Sequence, residues 1–586
     1  MCGLVGLVGA QQGPNVVGAM IASLRTRGPD ETGVAESDWF RLGICRLAIV
    51  DLAGGRQPVS TAGGDVCLAF NGEIYNYKSL VERFDVRRGG ANVSEAELLL
   101  RAYVRYGSQF VDYLDGDFAI LVMDSRRRAC YAFRDPVGVK PLYYAPLAAK
   151  GGWAFASHVR AFFQHPSFST SLDHVALAER RTLAFWSSDR TCFDRIRQLP
   201  PGCSLELRVA PDGQAEAQPE IRTFATRRGP ATQVETHPES EQAIELCSEL
   251  IRRSVGKRVE HSEVEPIVLA WSGGIDSTIL AALVHADYRD RIAAVTVYDD
   301  SLEADREYTE RLAGELGLKH ASYKIQISDF IGEFARAVSE NPGAQPAYSA
   351  YFIGRAAHKL YPTAKVLLCG EGADEFFLGY PLFVCHDGVK ERILRSLHDQ
   401  DPALVASSSL LQRVQTWERR SRAEAWNDFV DVHQTHQLVS NHLVAFDHAC
   451  MAHSLECRVP FLDGDLLNYA REIPNELKVS EGVPKIHLRR VLERLLAGTA
   501  VPARSVLECP KSPAFFATRA CTAWLRGFVE SRSEKSALLQ SRLVSFARDL
   551  ADLFWIRSIE VVFLKYRGEV EGMKFEDLAH EVIGGN

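Results

Sequence analysis

The six residues Ser272 to Ser277, SGGIDS, constrain this chain more than any other stretch. They follow the apolar run PIVLAW (266–271) and precede TILAALVHA (278–286), where Ile279, Leu280, Leu283 and Val284 recur at helical spacing. A short apolar run closed by glycine predicts a buried strand, and the 3.6-residue recurrence predicts a helix face. The motif is then a strand-to-helix loop with unpaired amide N–H groups at the helix start. Gly273 and Gly274 let a phosphate approach the backbone, and Ser272 and Ser277 add hydroxyl donors. The lysine-ended P-loop pattern of kinases and GTPases is missing here, and Asp276 instead supplies a hard oxygen ligand for Mg²⁺ beside a leaving pyrophosphate. Six residues alone read equally well as an ordinary glycine turn; the flanking strand and helix favour the phosphate.

A chain of 586 residues, 46% of them hydrophobic, exceeds what one core organises and predicts at least two domains. Its net charge of −8 leaves no broad basic face for nucleic acid. Thirteen scattered cysteines without a CxxC pair predict neither a disulfide framework nor a zinc site, and so a reducing cytoplasmic setting. No apolar run approaches the roughly 20 residues of a membrane helix, and the start lacks the basic region of a signal peptide. No membrane partner is expected.

Near the start stands Cys2, followed by GLVGLVG. Removal of Met1 would leave an α-amine with pKa of about 7.7–8 beside a thiol of about 8.5, so one residue could hold both nucleophile and base. Cys2 alone reads better as a buried structural thiol. The ordered set RTRGPDETG (25–33), LGICRLAIVD (42–51), FNGEIYNY (70–77) and the stretch 114–144 changes that reading. With Cys2 it resembles the N-terminal-nucleophile glutaminase domain of class II glutamine amidotransferases, over residues 1–205. The resemblance implies stacked antiparallel sheets with flanking helices. It makes Cys2 the nucleophile on the glutamine carboxamide, with the Asn71 side chain and the Gly72 N–H as oxyanion donors. Arg46 would meet the glutamine α-carboxylate, Leu47, Ala48, Ile49 and Val50 would supply backbone and wall, and Glu73 would complete the loop. Read alone, Asn71-Gly72 is a hairpin turn signal and Arg46 a surface ion pair. Two departures from the family stand out: Glu95 occupies the position of an Asp that binds the substrate ammonium, and Thr26 stands where His is usual.

Residues 206–240 are polar and rich in Gly, Pro and Thr, and read as a linker. From 241 to 586 the order strand, helix, strand, helix predicts a doubly wound parallel sheet, with ligands beyond the strand C-termini, and a helical C-terminal part. The strand KVLLCG (365–370) leads into GEGADEFFLGY (370–380). Together with SGGIDS this resembles the ATP-pyrophosphatase domain of asparagine synthetases. The resemblance implies ATP and Mg²⁺ as cofactors, Asp374 as a second metal ligand opposite Asp276, and Glu371 as important at adenylation. Ala270, Val297, Cys369 and Gly370 take places of backbone or wall contacts to ATP; Cys369 replaces a Ser and Leu378 a Gly. The stretch DHACMAHSLECRVPFLDGDLL (447–467) reads as a helix ending in a Pro-fixed turn, and Lys485 in PKIHLRR as the cation on the pyrophosphate side. Arg458, Asp463 and Lys511 read as structural ion-pair partners.

The implied reaction is adenylation of a carboxylate by MgATP, then attack by ammonia that glutamine releases in the other domain. Glutamine, ATP and a carboxylic acid acceptor are the expected partners, in a chain that can pair as a homodimer. Aspartate is the default acceptor. The segment ENPGAQPAYSAYF (340–352) lacks the Thr- and Arg-containing pattern of asparagine-forming relatives, and its Tyr348, Tyr351 and Phe352 raise a larger natural-product acid as an alternative. A glutamine-independent ligase resembling β-lactam synthetase is the other enzymatic reading; Cys2, Arg46 and Asn71 count against it. A non-catalytic scaffold is the third, and the intact loops count against that.

Overall fold

The computed structural model describes residues 2–507 other than 10–13, 85–92, 148–150, 169–170, 225–239, 300–301, 327, 330–332, 334–335, 338–339, 341–347, 385 and 500. Lys511 and the tail lie outside the described residues.

The first half carries the strands β1 (Cys2–Val8), β2 (Glu31–Glu36), β3 (Phe40–Arg46), β4 (Val59–Ser60), β5 (Val66–Ile74), β6 (Gly116–Asp124), β7 (Ala129–Arg134), β8 (Tyr143–Pro146), β9 (Trp153–Ala156), β10 (Arg197–Gln198), β11 (Cys203–Arg208) and β12 (Glu220–Thr223). They form two antiparallel sheets, in the orders β10-β8-β9-β1-β3-β2 and β12-β11-β7-β6-β5-β4. Cys2, Leu4 and Val8 of β1 share one apolar cluster with Ala119 and Leu121 of β6, so the two sheets pack face to face. Gly6 lets the sheets approach closely, since a Cβ would stand 3.1 Å from a Leu121 methyl. The stretch expected to be linker begins later than the sequence indicates. β11 runs to Arg208 and β12 pairs with it through Glu206↔Glu220, joined across a turn at Gly213. The polar composition that reads as linker is that of an exposed edge strand.

The second half adds β13 (Ile267–Ala270), β14 (Ile292–Tyr298), β15 (His320–Lys324), β16 (Val366–Leu368) and β17 (Glu456–Arg458), all parallel, in the order β15-β14-β13-β16-β17. The chain winds one way from β13 and then back from β16, which makes the doubly wound sheet expected. The crevice at that reversal lies between β13 and β16, and SGGIDS and EGADE follow those two strands. One element differs from expectation: after the helix Val444–Met451 the chain enters the sheet as β17 instead of passing directly to the Pro turn. Its residues Glu456, Cys457 and Arg458 are all buried, so the strand carries two charges inside the protein.

The halves share a buried seam. Leu47, Ile49 and Val139 of the first half pack within the apolar core of the second. Arg27 and Asp447 pair across it at 2.6 Å with both side chains almost fully buried. Ser454 Oγ donates to the Thr26 carbonyl at 2.7 Å, and Arg160 donates to Thr26 Oγ1 at 3.4 Å, so the Thr at position 26 is a seam residue. Arg458 pairs with Glu456 at 2.7 Å and stands 3.1 Å from Glu73 of the first half. Asp463 caps its helix and pairs with Arg258 and Lys257, as a structural role requires.

Removing one member of such a pair leaves an uncompensated buried charge, at a cost of about 3–5 kcal/mol. Arg458→Met is therefore expected to lower the thermal unfolding midpoint by several degrees, read by calorimetry. A midpoint equal to that of the parent would show that Glu73 and Glu456 find other partners.

Candidate active sites

In the first half a small open cleft is lined by Cys2, Arg46, Leu47, Ile49, Val50, Gly72 and Glu95, among others. β1 delivers Cys2 because its first residue pairs with Arg46 at the end of β3. Asn71-Gly72 is no hairpin: both lie inside the nine-residue β5, opposite Ala119 and Phe118 of β6. Gly72 is required by close approach, since a Cβ would stand 2.0 Å from the Asp117 carbonyl oxygen. The Cys2 N–H donates to Asn71 Oδ1 at 2.7 Å, which orients the amide. Asn71 Nδ2 is then buried with no hydrogen-bond partner. A buried donor left unpaired next to a thiol-bearing residue is free to bind a negatively charged oxygen.

Burial raises the Cys2 thiol, opposed by the chain's amino terminus and by the Leu47 N–H. The thiol is therefore neutral at rest and needs a base. Cys45, on the neighbouring strand, is pushed up to about 11 by burial and remains inert.

Arg46 is buried, not a surface ion pair. It donates to Glu31 Oε2 at 2.9 Å and to the carbonyls of Val50 and Asp51 at 3.1 and 2.7 Å, which ties down the wall loop. Gly55 makes room for it, as a Cβ there would stand 2.2 Å from the guanidinium. Ala48, Asn71 and Glu73 do not line the cleft: Ala48 holds the loop through its N–H to Asp30 at 2.7 Å, and Glu73 faces the seam. Glu95, at the first turn of the helix Glu95–Tyr106, accepts the Ile74 N–H at 2.8 Å and lines the cleft.

In the second half SGGIDS links β13 to the helix Ile275–Tyr288 as the sequence predicts. Gly273 adopts φ of +70° and packs against Tyr308, where a Cβ would be 2.8 Å from the ring. The Ser272 N–H donates to Ser277 Oγ at 3.3 Å, and Ser277 Oγ donates to the Gly274 carbonyl at 3.2 Å, so the hydroxyls close the loop. Ala270, Val297, Cys369 and Gly370 all stand at or next to the C-terminal ends of β13, β14 and β16.

Asp276 and Asp374 converge on one cation, Lys485 Nζ, at 2.5 and 2.7 Å. Lys485 is buried and left-handed (φ +58°) at the start of the helix Ile486–Leu496, a costly conformation for a non-glycine residue. Gly379 is part of the cradle: a Cβ there would stand 1.9 Å from Asp374 Oδ1 and 2.0 Å from Lys485 Cε. The two carboxylates are hard oxygen donors of the type Mg²⁺ takes, and Lys485 Nζ holds the position between them.

Glu371 meets a residue that no motif in the sequence singles out. His442, on a stretch of π-helix (His433–Leu443), brings Nδ1 to 3.3 Å from Glu371 Oε2. Burial would make His442 a weaker base, but Glu371 and Glu375 lift it to about 9, so it is a cation facing the acidic loop. Glu375 is itself buried and accepts from Tyr380 at 2.8 Å, and burial raises it to about 7. The acceptor segment corrects the sequence reading: Tyr351 and Phe352 are core residues with 1% and 0% exposure, not the walls of an open pocket. Tyr351 donates to Glu333 at 2.7 Å and packs on His453. Residues 341–347 lie outside the described residues.

The glutamine amidotransferase domain family matches residues 1–218, and the asparagine synthase family matches residues 246–547. The chain is 29% identical over 585 residues, covering 87% of both chains, to a Mycobacterium tuberculosis protein provisionally named asparagine synthetase (glutamine-hydrolyzing). It is 27% identical to two Bacillus subtilis proteins named asparagine synthetase (glutamine-hydrolyzing) 1 and 3, covering 87% and 93% of this chain and 88% and 92% of theirs. Among solved structures, a B. subtilis glutamine phosphoribosylpyrophosphate amidotransferase covers 55% of this chain and 81% of its own at 17% identity and a TM-score of 0.29.

Loss of one oxyanion donor costs about 10²–10³ in kcat. Asn71→Ala should therefore lower the glutaminase kcat by that order while the glutamine KM changes little. A kcat equal to that of the parent would remove Asn71 from the reaction.

Proposed function

Because the chain belongs to the asparagine synthase family, we propose that it converts the carboxylate of a small acid, aspartate first among them, into an amide, using MgATP and ammonia from glutamine. The observation that carries the glutamine half is the unpaired Asn71 Nδ2 beside Cys2, with its amide oriented by the Cys2 N–H. A glutamine-independent ligase would have no use for that donor. With Met1 removed, the α-amine of Cys2 still donates to Asn71 Oδ1 and keeps its lone pair for the thiol proton. The thiolate attacks the glutamine carboxamide, Asn71 and the Gly72 N–H hold the oxyanion, and the amine returns the proton to the departing ammonia. Water then releases glutamate from the thioester.

In the second half Asp276 and Asp374 would hold Mg²⁺, which when bound neutralises charge on the phosphates. The SGGIDS amides receive the pyrophosphate, and Lys485, already buried between the two carboxylates, supplies a fixed positive charge as pyrophosphate leaves. Glu371 stands ready to take a proton from the attacking ammonia, with His442 holding its carboxylate in place. Aspartate is favoured over a bulky acid because Tyr351 and Phe352 are spent on packing.

Two measurements test this reading. Cys2→Ala should abolish glutamine-dependent amide formation and spare ammonia-dependent formation, whereas Asp276→Asn should abolish pyrophosphate release and spare glutaminase turnover. Coincident loss of both activities in either variant would contradict a division of labour between two sites. In the second, carboxylic acids compete under saturating MgATP and ammonia, with pyrophosphate as readout. Aspartate should show the highest kcat/KM; a larger aromatic or aliphatic acid in first place would replace it as substrate.

A further inference from the structure

An imidazole from the second half reaches a carboxylate that lines the cleft of the first. His261, immediately after the helix Glu241–Glu260, brings Nε2 to 2.9 Å from Glu95 Oε1 and 3.2 Å from Glu73 Oε2. Glu95 Oε1 also accepts the Ile74 N–H at 2.8 Å, so two donors hold this one oxygen while Glu95 lines the cleft beside Cys2. The imidazole is itself fixed. Arg458 donates to the His261 carbonyl at 2.8 Å, and the ring meets Tyr75 edge-on with centroids 6.0 Å apart. Arg258 lies over the other side of this group, 4.6 Å from the Tyr75 ring.

The charges are consistent with a positive imidazole. Burial works against protonation of His261, but Glu73 and Glu95 outweigh it and raise the imidazole to about 10. Burial and Glu73 raise Glu95, and His261 opposes that rise. Glu73, Glu95 and His261 could together hold a divalent cation, their ligand atoms all lying within 4.8 Å of one another. The Arg458 guanidinium 3.1 Å from Glu73 already supplies a further positive charge and makes a metal a poor occupant.

We propose that His261 is a positioning residue of the glutamine site: the synthetase half uses it to hold the Glu95 carboxylate so that its second oxygen meets the substrate ammonium. The inference rests on the glutamine reading above and deepens it. Glu has one more rotatable bond than the Asp usual at this position, and two donors on Oε1 remove that freedom. His261 also places positive charge 3.2 Å from Glu73, which lies beside Glu95 on the same imidazole nitrogen. The glutamine site is then complete only when the second half is in place.

The test is steady-state kinetics on the full chain, with glutaminase, glutamine-dependent and ammonia-dependent amide formation measured separately. A charge-assisted hydrogen bond is worth roughly 10- to 100-fold in binding, so His261→Ala should raise the glutamine KM by about that factor. Its glutaminase kcat should change far less, and ammonia-dependent synthesis should stay at the parent rate. His261→Gln, which keeps a donor at similar reach, should recover most of the loss. His261→Ala added to Glu95→Gln should cost little more than Glu95→Gln alone, because the two act on one interaction. An unchanged glutamine KM in His261→Ala and His261→Gln, additive effects, or a parallel fall in ammonia-dependent synthesis would each overturn the proposal. So would stoichiometric metal in the purified protein that His261→Ala removes. Failure of the glutamine reading itself shows differently, as glutamine-dependent synthesis that survives Cys2→Ala.

Discussion

The structure depends on one buried guanidinium. Arg458 is fully buried, and its donors are divided between the two halves: Nε to Glu456 at 2.7 Å, a terminal nitrogen to the carbonyls of Arg258 and His261, and the other terminal nitrogen 3.1 Å from Glu73. A charge in such a place is tolerated only when its partners surround it. The partners therefore define the geometry. Glu73 follows Asn71 and Gly72 on β5, and the Arg458 carbonyl accepts the N–H of Cys369, which leads into the acidic loop of the second half. One side chain and its own backbone thus join the two chemistries, and β17 exists to place it.

The second site applies the same logic with opposite sign. Asp276 and Asp374 come from strands adjacent at the reversal of the sheet, where side chains from two loops point into one crevice. Left alone, two carboxylates so close would repel. Lys485 resolves the repulsion from a third element, and its left-handed backbone shows that local strain is accepted to put the ammonium there. The crevice thus holds a glycine-containing loop at a helix start, a fixed cation and two hard oxygen donors.

Much of this was legible in the sequence. The strand, loop and helix around SGGIDS follow from hydrophobic periodicity, and Cys2, Arg46 and Gly72 of the ordered motifs line one cleft, with Asn71 behind it on the Cys2 N–H. What escaped reading has a common cause. β17 is three residues long and two of them are charged, so the rule that strands are apolar fails where a seam needs buried ions. β12 is polar because it is an exposed edge, and it reads as linker. His261 and His442 are single histidines whose partners lie far away in the chain, at Glu95 and Glu371, and no local spacing marks them. Tyr351 and Phe352 show the converse: aromatic residues in an unusual segment invite a binding role, yet they fill the core.

The seam also decides whether the glutaminase half is a separable module. The wall loop of the glutamine cleft follows β3, and its Leu47 and Ile49 pack inside the apolar core of the second half. Without that core these side chains would face water, each forfeiting about 1.5–3 kcal/mol of burial. Arg27, whose Nε donates to the Cys2 carbonyl at 3.3 Å, would at the same time lose Asp447. The core behind Leu47 and Ile49, the Asp447 partner of Arg27 and the imidazole on Glu95 all reach the first half across the same boundary. Two catalytic centres that look independent in sequence order are therefore one folded object. The residues that line the cleft beside Cys2 come from the first half, and the second half acts on them from behind, through the core that packs Leu47 and Ile49 and the imidazole that holds Glu95.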